Sequence, residues 1–111
     1  MNRIGGEAAI YVAAALTLYT DLPDTPLRLS PMDQSVADQL HLEAAPLSLV
    51  ESALLHATLR RQTRSSEPPP LLKVRSLAYF LPVIAELQQQ PLPNGYLDYL
   101  RLKLQRAARP A

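Results

Sequence analysis

The sequence predicts an all-α fold, a compact bundle of about five helices with a Pro-rich linker between the third and the fourth. Three observations lead there. Apolar residues recur at three- and four-residue spacing through most of the chain. No segment alternates apolar and polar residues over a useful length, as a half-buried strand would. Prolines gather in a few short breaks, at Pro23/Pro26, Pro68–Pro70 and Pro91/Pro93, each of which stops a helix by removing a donor and by restricting the residue before it.

Glu7 to Thr20 forms the first predicted helix, because it is rich in Ala and carries no Gly or Pro. Its apolar residues run nearly all the way round, which predicts a central position in the domain. The break Leu22-Pro23-Asp24-Thr25-Pro26 ends it and opens a short extended connection. Ser30-Pro31-Met32-Asp33 then reads as a helix start, with a serine cap, proline at the first position and a carboxylate near the positive end. The second helix presents Met32, Val36 and Leu40 on one face. A turn over His41–Ala45 leads through Pro46 to a third helix, Leu47 to Arg61 or slightly beyond. At about 100° per residue its apolar arc is Leu47, Val50, Ala53, Leu54 and Ala57, with Ser52, His56 and Arg60 opposite.

Gln62 to Lys73 is the linker, polar at first and then stiffened by three consecutive prolines. A fourth helix, about Ser76 to Gln90, carries the stripe Leu77, Phe80, Leu81, Ile84 and Leu87, with Pro82 on the far side predicting a kink. After Pro91-Leu92-Pro93-Asn94-Gly95, a fifth helix from about Tyr96 to Ala108 buries Leu97, Leu100 and Leu104. At 111 residues, 48 % of them hydrophobic, the chain reads as one domain over 1–111: an acidic three-helix part (1–61), the linker (62–73) and a basic two-helix part (74–111).

Composition narrows the function. There are no cysteines, so disulfides, thiolate metal sites and thiol nucleophiles are excluded and a cytoplasmic location is expected. The longest uncharged apolar run, Ala8 to Thr20, is about thirteen residues, short of the roughly twenty that a bilayer requires, so no membrane partner is expected. His41 and His56 have no Asp or Glu at ligand spacing beside them, and no metal or other cofactor is expected. No serine sits on a Gly-flanked elbow, the glycines Gly5, Gly6 and Gly95 form no phosphate loop, and the carboxylate pairs Asp21/Asp24 and Asp33/Asp38 are explained by capping. The chain is therefore read as a binding protein rather than an enzyme. A helix-turn-helix on the second and third helices fits poorly, because the would-be recognition helix opens Ala45-Pro46-Leu47-Ser48-Leu49-Val50 and offers few donors to base edges.

Charge is distributed unevenly. Met1–Leu55 holds two basic residues against seven acidic ones, a balance of −5, and His56–Ala111 holds nine against three, a balance of +6. Either the basic part meets a nucleic acid, or the two parts attract each other within the fold. The fifth helix favours the first. Tyr99, Lys103 and Arg106 recur at i, i+4 and i+7, opposite the buried leucines, so that a ring for stacking a base lies beside cations for phosphates. Arg101 and Arg109 flank them, and Arg60, Arg61, Arg64, Lys73 and Arg75 complete the basic set. Leu55, Leu59 and Leu102 fall outside the main apolar arcs and form the alternative, a surface for a protein partner or a second copy of the chain.

The segment Val74-Arg75-Ser76-Leu77-Ala78-Tyr79-Phe80-Leu81-Pro82-Val83-Ile84-Ala85-Glu86 resembles a segment near the C-terminus of bacterial replication-associated proteins of phages, plasmids and mobile elements. The Leu22-Pro23-x-Thr25-Pro26 break, the Pro46-Leu47-x-x-Val50 helix start and Tyr99-Leu100 resemble their uncharacterised relatives. The resemblance implies a helical DNA-associated or protein-docking module within a larger assembly, with Arg75 and Tyr79 as contacts and Phe80 in the core. Without a winged-helix domain or a nucleotide-binding loop, the chain departs from full replication initiators. The resulting expectation is a non-catalytic nucleic-acid-binding accessory subunit of a replication or mobile-element assembly, insensitive to base sequence.

Overall fold

A computed structural model of the chain describes residues 3–23, 25, 28–64, 74–93 and 95–108. They form five α-helices and one 3-10 turn, with no strand among the described residues: α1 (Arg3–Thr20), α2 (Pro31–Leu42), α3 (Leu47–Arg64), a 3-10 turn (Leu77–Phe80), α4 (Leu81–Gln89) and α5 (Tyr96–Ala108). The proline run of the linker, Pro68–Pro70, lies outside the described residues. Gln62 to Arg64 belong to the last turn of α3 rather than to the linker. None of these helices is long and apolar enough to cross a membrane.

The helix at the centre is α3, which corrects the expectation for α1. α3 packs against α1, α4, α5 and the 3-10 turn, whereas α1 packs against α2 and α3. Val12, Ala15 and Tyr19 of α1 are buried, while Ile10 on its outer side is 72 % exposed. Around α3 the core gathers Leu40 of α2, Leu77 and Phe80 of the 3-10 turn, Ile84 and Leu87 of α4, and Leu100 of α5. Ser52, which the periodicity assigns to the polar side of α3, is buried as well, its hydroxyl donating to the Ser48 carbonyl at 2.8 Å.

α2 starts where its cap predicts. The Ser30 side chain accepts from the Asp33 N–H, and the Asp33 Oδ2 accepts in return from the Ser30 N–H at 2.9 Å, a capping box with Pro31 in the first turn. Its inward face is Asp33, Ala37 and Leu40, about one residue round from the expected Met32, Val36 and Leu40; Met32 is 60 % exposed. On that inward face Asp33 makes a second bond: its Oδ1 accepts from the buried Leu77 N–H at 2.9 Å and joins α2 to the start of the 3-10 turn. Burial raises the Asp33 pKa, but the N–H groups of Ser30 and Leu77 and the hydroxyls of Ser30 and Ser76 outweigh it and hold the carboxyl below its ordinary value. The Tyr19 ring stands edge-on to Phe80 at 6.1 Å; burial, and then the Asp33 charge, push its phenol up to about 12.

The expected kink at Pro82 is a change of helix type instead. Ser76 caps the Ala78 N–H, one 3-10 turn follows, and the Leu81 N–H donates to the Ala78 carbonyl. Pro82 therefore enters in the first turn of α4, where its missing donor leaves no bond unmade. α5 begins just after Gly95, at φ +84°, which a glycine tolerates and a side chain rarely does.

Candidate nucleic-acid interface

Among the described residues, the basic side chains divide into those paired with a carboxylate or a ring hydroxyl and those that are not. On the last turns of α3, the Arg60 Nη2 lies 3.2 Å from the Glu86 Oε1 of α4, both side chains about half exposed. Arg61 lies over the Tyr79 ring, 5.2 Å from its centroid, and its Nη1 donates to the Tyr79 Oη at 3.1 Å. His56, one turn before Arg60, is held below its ordinary pKa by burial and then by the Arg60 charge, with Glu86 pulling the other way. Arg75, before the 3-10 turn, is exposed.

Arg101 of α5, though exposed, reaches across to α3. Its Nε and Nη2 donate to both oxygens of Glu51 on α3, at 2.8 and 2.6 Å, and its Nη1 to Asp98 at 3.2 Å. The hydrogen bond and charge of Glu51, with a smaller contribution from Asp98, raise the pKa of the guanidinium. Glu51 belongs to the acidic part of the sequence and Arg101 to the basic part, so this fork is a direct attraction between the two. Arg60 lies nine residues past Glu51, about 13 Å further along α3. The expected basic residues are thus not one unpaired patch: Arg60, Arg61 and Arg101 point their charge at neighbours in the fold.

The outer face of α5 is different. Tyr99 is 49 % exposed, with Tyr96 packed behind it at 5.3 Å between ring centroids and the Lys103 Nζ 5.8 Å from its ring centroid. Arg106 follows one turn on, exposed, and Leu102 lies between at 46 % exposure. Among the described residues no carboxylate pairs with Lys103, Arg106 or Arg75. Helix periodicity finds this face, because Leu97, Leu100 and Leu104 turn inward and leave Tyr99, Lys103 and Arg106 outward. Lys73, Arg109 and the Arg64 side chain lie outside the described residues.

The apolar surface expected of Leu55, Leu59 and Leu102 does not form. Leu55 is buried in the core and Leu59 packs against it, because α3 is enclosed on more sides than one apolar arc predicts. Phe80 is core, as the sequence implies, and Tyr79 is exposed but carries Arg61 on its ring. The pairing of Glu51 with Arg101 has no sequence signal: the residues are fifty apart and share no helix.

An open cleft of about 430 Å³ lies between the start of α3 and the segment Pro91-Leu92-Pro93, lined by Leu49, Leu87, Leu97, Ser48 and Ser52. Among the described residues no titratable side chain lines it. Among the described residues no three His, Asp or Glu side chains converge as metal ligands would. No family model, no curated protein and no solved structure matches the chain.

Proposed function

We propose that the chain is a non-catalytic nucleic-acid-binding accessory subunit, cytoplasmic and part of a replication or mobile-element nucleoprotein assembly, which grips phosphates through the outer face of α5. One observation carries the reading. Lys103 and Arg106 stand beside an exposed tyrosine with no acidic partner among the described residues, while Arg60 and Arg101 are each paired with a carboxylate. An unpaired cation gains more from a phosphate than one that must first leave a carboxylate. The assembly is the part that the sequence resemblance supplies. Of the three leucines that would carry the protein-docking alternative, Leu102 is exposed, and Leu55 and Leu59 face inward.

The test is a fluorescence-anisotropy titration of labelled single-stranded and duplex DNA at two salt concentrations. Affinity should fall steeply with salt. Lys103→Glu with Arg106→Glu should weaken binding at least tenfold whatever the base sequence, and lower the salt slope by about 1.5. Arg101→Gln should change affinity little. Absent or salt-insensitive binding would reject the proposal.

A further inference from the structure

We infer that the α5 face takes single-stranded nucleic acid, with an unpaired base stacked on Tyr99 and its neighbouring phosphates held by Lys103 and Arg106. This rests on the proposal above and names the form of nucleic acid that the face fits.

The argument begins with the exposed ring. A tyrosine half in solvent on a polar helix face leaves apolar surface unburied, and Leu102 beside it adds to that surface. Phosphates alone would use neither. In a duplex the flat faces of the bases are already covered by their neighbours, so the ring would meet backbone or groove edges. An unpaired base offers a free face, and stacking one on an aromatic side chain is worth about 1–3 kcal/mol.

Tyr99 is also built to hold its place. Tyr96, half-buried and packed on the core, stands behind it at 5.3 Å with the two rings inclined at 51°. The Lys103 ammonium over the ring is an exposed cation–π contact, worth about 0.5–1 kcal/mol, and its long side chain is free to exchange the ring for a phosphate. A base can thus take the place beside the ring while the displaced ammonium neutralises the adjoining backbone. Lys103 and Arg106 lie four and seven residues beyond Tyr99, about 6 and 10 Å along the helix axis, so their charges follow a strand leading away from the stacked base. Tyr79 makes the contrast. It is as exposed, but its ring and its hydroxyl are both engaged by Arg61, which fixes it within the fold.

The experiment compares oligo-dT, oligo-rU, an abasic oligomer of equal length and a duplex, all titrated at low salt. Oligo-dT, oligo-rU or both should bind about tenfold more tightly than the abasic strand and the duplex; which of them does so names the sugar. Tyr99→Ala should abolish that advantage, weakening the based strands several-fold more than the abasic strand, and Tyr99→Phe should keep it. The ring is on the surface, so neither variant should disturb the fold, which circular dichroism would check. The chain has five tyrosines and no tryptophan, and stacking should quench tyrosine emission in the wild type but less in Tyr99→Phe. Abasic binding as tight as that of both based strands, or equal weakening of all probes by Tyr99→Ala, would overturn the inference and leave the phosphate grip standing. Failure of every probe to bind at low salt would remove both.

Discussion

α1 and α3 invert the order that their compositions suggest. α1 carries no charge from Ala8 to Thr20, yet Ala9, Ile10 and Ala13 face solvent. α3 contains Glu51, Arg60 and Arg61 among several hydroxyls and a histidine, yet Ser52 to Leu55, Ala57 and Thr58 are all buried. The difference lies in how many neighbours each helix has. α1 is covered from one side by α2 and α3, and α3 is enclosed by α1, α4, α5 and the 3-10 turn. Polar residues survive in that position by bonding to their own helix: the Ser52 hydroxyl donates to the Ser48 carbonyl, and the Thr58 hydroxyl to the Leu54 carbonyl at 2.7 Å. A hydroxyl satisfied within one turn costs little to bury. Composition therefore ranks a helix by what it tolerates, and packing decides what it receives.

The largest expected effect tests that ranking directly. Leu54 of α3 is 1 % exposed, and Leu54→Ala should cost about 2–5 kcal/mol through lost transfer energy and the cavity left behind. Ile10 of α1 is an equally apolar residue at 72 % exposure, and Ile10→Ala should stay within about 0.5 kcal/mol. Urea unfolding of the two variants measures both. A cost at Ile10 close to that at Leu54 would break the comparison, since the outer face of α1 would then have to be covered in solution.

Much of this fold is legible in the sequence, and the parts that are not share one cause. Helix starts marked by local chemistry are read correctly: Ser30-Pro31-x-Asp33 opens α2, and α5 begins at Tyr96 and ends at Ala108. These signals act over one turn. What a single helix cannot reveal is which neighbours it will have. The burial of Leu55, the rotation of α2 toward Asp33 and the Glu51–Arg101 fork all depend on elements distant in sequence. The same limit applies to the basic residues. Periodicity identifies the outward face of α5, but not that Arg101 would reach Glu51 of α3 while Lys103 and Arg106 have no carboxylate partner among the described residues.

Asp33 supplies the next test, because it binds the α1–α2 side of the molecule to the 3-10 turn that packs on α3. Asp33→Ala strands the Leu77 N–H in the interior and removes the capping box, and should cost about 3 kcal/mol; Asp33→Asn, which keeps one acceptor, should cost less. The sign of the pH effect follows from the lowered pKa. The contribution of Asp33 is fully present above the ordinary carboxylate value near 4 and is lost as pH falls through it toward the lower folded value. Between pH 7 and pH 3 the wild type should therefore lose more stability than Asp33→Asn. Equal losses would mean that the carboxylate is not the acid-sensitive joint between the two regions.

A smaller effect concerns the entry to α3, where α2 ends in a Schellman motif. The Ala45 N–H donates to the Leu40 carbonyl and the Ala44 N–H to the His41 carbonyl, both at 3.0 Å, and Ala44 adopts φ +58°. That left-handed conformation normally falls to glycine, because a Cβ crowds the backbone there. Ala45 is held in turn from α1, whose Tyr11 hydroxyl donates to the Ala45 carbonyl at 2.7 Å, so the turn cannot relax without losing its contact with α1. Ala44→Gly should relieve the crowding and stabilise the fold by about 0.5–1 kcal/mol, read as a higher urea midpoint with an unchanged slope. In Tyr11→Phe, which frees the Ala45 carbonyl, the gain should shrink if α1 is what holds Ala44 in place. An undiminished gain would show that the turn is set by α2 and α3 alone, and that α1 rests on the central helix without shaping its entry.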